Sequence, residues 1–121
     1  MSESQSLGQK GENEAVAYLE KKGYRIRHRN WVTGQKELDI VAENDDYIVF
    51  VEVKTRTEGF LMEPGKAVTH EKRRLIILAA DSYVKKYCLD KENRFDIITV
   101  IAKGERFEID HIENAFYPTL R

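Results

Sequence analysis

The chain has 121 residues, enough for one domain with a real core, and its 41% hydrophobic and 34% charged residues describe a folded soluble protein. No apolar run approaches the ~18–20 residues that span a bilayer, and the polar residues 1–10 lack a signal-peptide core. The net charge of −1 gives no bulk attraction for a polyanion, so a nucleic-acid role must rest on local patches. Cys88 is the only cysteine, so an internal disulfide is excluded and a reducing cytoplasm fits. Without a Cys–His pattern it reads as a buried or half-buried helix residue rather than a nucleophile.

Residues 1–5 read as a disordered tail. A helix is expected over 7–22, with Ser6 as N-cap, Gln9 three residues on and Gly23 ending it. Ala15, Val16 and Leu19 mark its buried stripe, and Glu12 falls in the middle of that stripe. A glutamate there has two readings. Either it only exploits the favourable field at a helix start, or the helix packs over a sheet and delivers Glu12 to a polar cleft. Residues 24–31 then alternate as a strand, with Tyr24, Ile26 and His28 on one face and Arg25, Arg27 and Arg29 on the other. This predicts an outer strand with one wet face, whose arginines either guard a sheet edge or track phosphates. His28 reads as a packed or capping histidine, since no second His or Cys sits at ligand spacing.

After a turn at Gly34-Gln35-Lys36 come two runs with strand composition, residues 37–42 and 47–54, joined by the turn-like Glu43-Asn44-Asp45-Asp46. With Glu43 opposite Ile48, Asp39 lies opposite Glu52 and Glu37 opposite Lys54, all on the face that also carries Ile48 and Phe50. The other face of the second run, from Tyr47 to Val53, is apolar throughout, so this strand is expected at the centre of the sheet. Two carboxylates held across a strand pair repel by roughly 0.2–1 kcal/mol even when solvated. A divalent cation would turn that repulsion into coordination.

Residues 55–65 read as a long loop whose Phe60, Leu61 and Met62 either touch a base or a partner protein or fold back on the core. A second helix is expected from 66 or 69 to 87. Val68, Leu75, Ile76, Ala79 and Tyr83 share one face, and Lys72 sits in the middle of it while Arg73 and Arg74 point outwards. Lys72 either snorkels or joins the cleft. A strongly apolar strand over 95–102 follows, placed parallel to the Glu52 strand by a right-handed crossover. The last strand is expected over 106–112. The order α-β-β-β-α-β-β gives an α/β fold, one mixed central sheet flanked by helices, in one domain spanning 1–121.

The chemical set is Asp39 and Glu52 across the hairpin, Lys54 beside Glu52, and Glu12 from the covering helix. Phosphodiester hydrolysis needs a metal ion and a cation near the developing charge, and this set supplies ligands for the first and a group for the second. The arrangement resembles the PD-(D/E)xK nucleases of restriction-endonuclease-like αβββαβ core, and among them the archaeal-type Holliday junction resolvases. More narrowly the chain resembles the bacterial YraN-like family of predicted nucleases. The residues that carry this are Gly8-x-x-Gly11-Glu12-x-x-Ala15, Glu37-Leu38-Asp39-Ile40-Val41-Ala42, Phe50-Val51-Glu52-Val53-Lys54-Thr55-Arg56, Lys72, Arg94-Phe95-Asp96 and Asn114-Ala115-Phe116. The resemblance implies that Asp39, Glu52 and the Val53 carbonyl bind Mg²⁺ or Mn²⁺, that Lys54 positions the water and that Glu12 completes the site. Leu38 stands where the wider superfamily often has proline.

The sequence thus points to a metal-dependent endonuclease acting on DNA, structure-selective or non-specific, with no appended recognition module. Arg25, Arg27, Arg29, Arg56 and Lys72 are its candidate backbone contacts. Cutting two strands would take two protomers, hence a symmetric homodimer. Two other readings remain at this stage: a non-catalytic nucleic-acid-binding module, and an adaptor that uses its surface loop and Phe116-Tyr117 to engage another protein.

Overall fold

A computed structural model describes residues 6–59 and 68–118. Its elements run α1 (Leu7–Lys21), β1 (Arg25–Thr33), β2 (Lys36–Glu43), β3 (Tyr47–Thr57), α2 (His70–Lys86), β4 (Glu92–Lys103) and β5 (Arg106–Phe116). The five strands form one mixed sheet in the order β1-β2-β3-β4-β5. Only β3 and β4 are parallel, joined across α2; the other neighbours are antiparallel. This α/β arrangement is compatible with a restriction-endonuclease-like core. The expected tail at 1–5, and Phe60, Leu61 and Met62, lie outside the described residues. No helix among the described residues is long and apolar enough to cross a membrane.

Strand periodicity divides the core in two. Ile40, Ala42, Val49, Val51, Ile98 and Val100 face Ala15 and Leu19 of α1. The alternating set Val41, Ile48, Phe50, Phe95 and Ile97 faces Ile76, Ala79, Ala80 and Tyr83 of α2. β3 is therefore apolar on both sides and central, as its composition requires. α1 sits close: a Cβ on Gly11 would overlap the Thr55 side chain, so only glycine lets the helix rest there. The Ser6 hydroxyl caps α1 by accepting from the Gln9 N–H at 3.1 Å, and Gly23 closes it at φ 98°.

Several sequence expectations change. The strand β3 runs on to Thr57, so residues 55–57 pair with Val100–Ala102 rather than opening a loop. Leu75 is 40% exposed, because α2 turns its Ile76–Ala79–Tyr83 line to the sheet and leaves Leu75 at the rim. Arg73 does not point simply outwards; its Nε donates to the Val68 carbonyl and its guanidinium lies over the Phe116 ring. Cys88 is exposed, at φ 54° just past the end of α2. The last strand continues to Phe116, which is buried and stacked on Phe95. Phe116 therefore belongs to the core and not to a docking surface, while Tyr117 is 64% exposed.

The three arginines of β1 do not share a face. A bulge between Ile26 and His28 inserts Arg27 as an extra residue, so His28 pairs with Val41 and Arg29 with Ile40. Arg27 and His28 turn toward Tyr83 under α2, at 2.9 and 2.7 Å from its hydroxyl. Arg29 passes to the α1 side.

Candidate active site

The β2–β3 ladder holds the expected register from Glu43↔Ile48 to Ile40↔Val51. It then stops where Asp39↔Glu52 would be the next pair. Instead the Val53 N–H donates to Asp39 Oδ2 at 2.9 Å. The carboxylate takes the place of a ladder carbonyl, the strands part, and the Glu37–Lys54 pairing of the simple hairpin is not formed. Glu37 pairs with Val32 of β1. Asp39 thus stands at a fork and lines two cavities. One, of about 300 Å³, lies toward α2 with Lys36, Glu37, Glu52, Thr69 and Lys72 on its walls. The other, of about 320 Å³, lies toward α1 with Glu12, Val53, Lys54, Thr55 and Arg56.

Glu52 is almost fully buried, at 4% exposure. Its Oε2 receives two ammonium groups, Lys72 Nζ at 2.8 Å and Lys54 Nζ at 3.5 Å. Lys72 therefore joins the cleft. Burial, and then the charge of Glu52, raise Asp39 to about 7, against the opposing pull of the Val53 N–H and Lys72. Burial lowers the Lys54 pKa despite Glu52 nearby. Burial also works against the charge on Lys72, but the hydrogen bond to Glu52 and the negative charges of Glu52 and Asp39 together outweigh it, and its pKa rises.

Glu12 shares a cavity with Asp39, Val53 and Lys54 but does not bond to them. Its Oε2 accepts from Arg29 Nε at 2.9 Å and Asn30 Nδ2 at 3.0 Å. Arg29 also reaches Asn13 at 2.6 Å. Arg25 and Arg27 both bond Glu43, with Lys91 Nζ at 2.7 Å on its other oxygen. Arg56 lines the α1-side cavity and donates to the Thr55 carbonyl. Sequence reasoning missed Asn30, which holds Glu12 from a left-handed backbone position at φ 50°. An Asn breaking an alternating strand was the available signal. It also missed the bond from Val53 N–H to Asp39, which no residue pattern announces.

Among the described residues, no three His, Cys, Asp or Glu side chains gather as a metal site. The donor set nonetheless fits a hard cation that takes few protein ligands. Two carboxylates are held together against their repulsion, and the neighbouring positive charge comes from the ends of two lysine side chains. Mg²⁺ keeps several waters and uses one or two carboxylates. Asp39, Glu52 and the Val53 carbonyl match that requirement.

The fold and cleft define a mixed α/β protein with an acidic pair, two lysines and a partnered glutamate where its central strands part. Residues 11–100 match the family described as Uncharacterised protein family UPF0102, and the chain belongs to that family. This is the YraN-like family that the sequence resembles. A UPF0102 protein of Bacteroides thetaiotaomicron is 52% identical over 120 residues, covering 99% of each chain. One from Phocaeicola vulgatus is 50% identical over the same coverage. One from Myxococcus xanthus is 42% identical over 115 residues, covering 94% of this chain and 91% of the relative.

Proposed function

We propose that this protein is a metal-dependent endonuclease of the PD-(D/E)xK kind that hydrolyses DNA phosphodiester bonds with structure selectivity or no sequence choice. The observation that carries the reading is the Asp39–Glu52 pair. A fold gains nothing by holding two carboxylates in a half-buried cleft where one is pushed to about 7. Asp39, Glu52 and the Val53 carbonyl would hold Mg²⁺ or Mn²⁺. The cation, when bound, supplies Lewis acidity at the scissile phosphate. Lys54, depressed by burial and on the rim of the same cavity, orients the attacking water and stabilises charge on the phosphoryl oxygens. Arg29 and Asn30 fix Glu12 beside that water's approach. Lys72, Arg25, Arg29 and Arg56 contact the backbone of DNA, branched DNA included, while Arg27 stays tied to Tyr83 and Glu43 under α2. A symmetric homodimer supplies the second cleft for the second strand, and the cytoplasm is the proposed location.

One observation favours a second reading, a non-catalytic nucleic-acid-binding module. Lys72 already pairs with Glu52 at 2.8 Å, so the cleft is partly neutralised without an ion. Cleavage of single-stranded, duplex, flap and four-way-junction DNA with Mg²⁺ or Mn²⁺ decides between them. The native chain cuts at least one substrate, and Glu52→Ala or chelation lowers the rate by at least about 100-fold. Salt-dependent binding without turnover on every substrate selects the module instead.

A further inference from the structure

Lys72 is in the wrong place for a lysine. Thr69 caps α2 by accepting from the Lys72 N–H at 3.1 Å, which puts Lys72 in the first turn of the helix. Positive charge there opposes the helix dipole. Arg73 and Arg74 follow it at the same end, while Glu71 in the first turn and Lys85 and Lys86 in the last obey the dipole. Lys72 has an acidic partner that offsets the misplaced charge. Lys72 Nζ lies 2.8 Å from Glu52 Oε2, the oxygen that Lys54 approaches at 3.5 Å. Glu52 is 4% exposed, whereas the Lys72 side chain is 45% exposed and can swing out into the cavity.

We infer that Lys72 is the resident counter-ion of Glu52, displaced when a divalent cation enters and thereby freed to contact the substrate's phosphate backbone. The inference rests on the metal-site reading of Asp39 and Glu52 and adds a role for a helix residue outside the hairpin. A divalent ion at Glu52 Oε2 would meet the Lys72 ammonium as a like charge at close range, so the two compete for that oxygen. The exchange keeps the cleft near charge balance in both states. It also couples the two ligands: a phosphate backbone meets the Lys72 ammonium only once the cation has taken Glu52. Lys72 is in this sense a positioning residue for the ion and a contact residue for the polyanion.

Mn²⁺ titration calorimetry on the full chain tests the exchange. Lys72→Met is expected to bind Mn²⁺ about tenfold tighter than the native chain, the scale of one charge-assisted hydrogen bond to a buried carboxylate. Lys72→Arg, which keeps the charge, stays within about twofold to threefold of native. Thermal melts in chelator check that each variant folds, and Lys72→Gln is a second neutral replacement if the Met variant does not. Binding of a short duplex by anisotropy supplies a readout that a merely structural lysine would not move. With Ca²⁺ present, Lys72→Met loses about one unit of salt slope relative to native. Without divalent ion the two slopes coincide. Equal Mn²⁺ affinity for native and Met chains overturns the exchange while leaving the metal site intact. Failure of every chain to bind Mn²⁺ overturns the metal site and the exchange with it.

Discussion

The same sheet buries acids in two different ways. Asp96 on β4 is fully buried, and Arg94 Nε and Nη2, His111 Nε2 and the Asn114 N–H surround it at 2.7–3.0 Å. Arg94 passes on to the Tyr24 hydroxyl, and His111 to the Tyr18 hydroxyl at 2.9 Å. Burial works against the Asp96 charge, but these bonds outweigh it and the pKa falls. Glu43 at the other end of β2 is similar: the Lys91 bond leads, with Arg27 and Arg25, in holding it down at about 2. Asp39, four residues away on the same strand, is pushed the opposite way. The difference lies in the neighbours: Asp96 and Glu43 each have more positive partners than negative ones, whereas the nearest charge to Asp39 includes another carboxylate. Fully compensated acids hold elements together; the Asp39–Glu52 pair, compensated only in part by Lys72 and Lys54, leaves work for a ligand.

The sharpest break of this contrast is Asp96→Ala. It leaves Arg94 buried without its carboxylate and is expected to cost about 3–5 kcal/mol in urea unfolding. A loss below about 1 kcal/mol would remove Asp96 from the class of structural acids. Asp39→Asn should act with the opposite sign. The folded Asp39 titrates at about 7, above its unfolded value of 3.8, so the folded state holds the proton more tightly. Stability at this group is complete below pH 4, falls as pH rises, and is at its lowest above 7. In chelator, Asp39→Asn is therefore expected to raise Tm by about 5 °C at pH 8 and to leave it unchanged near pH 4. Equal effects at both pH values would sink the assignment. The smallest effect belongs to Arg25→Ala. Its side chain is 71% exposed, and Arg27 and Lys91 remain on Glu43, so thermal unfolding should move by about 0.5 kcal/mol or less.

The central hairpin was legible because alternation fixes register: Glu43↔Ile48 alone places Val41, Ile40 and their partners. The parallel β3–β4 neighbourhood followed from the length of the crossover through α2. Lys72 was legible as an anomaly on an apolar helix face. The bulge at Arg27 was not, since an inserted residue leaves the alternating letters of β1 unchanged while reversing the face of all that follows. The Asp96 network was invisible for another reason. Arg94, His111 and Tyr18 come from three separate elements, and nothing local in each announces that they meet. For Glu12, periodicity correctly turned the side chain toward the sheet, but its Arg29 and Asn30 partners depended on the unseen bulge.

The contact of Gly11 with Thr55 has a consequence for dimensions. The residue after Gly11 is Glu12, and the residue before Thr55 is Lys54. The missing side chain is therefore a spacer of zero thickness between the helix that carries the outer acid and the strand that carries the lysine. Any larger residue would act as a shim, lifting the start of α1 from β3 and widening the gap between those two walls. The gauge of the cleft is set by an atom that is not there.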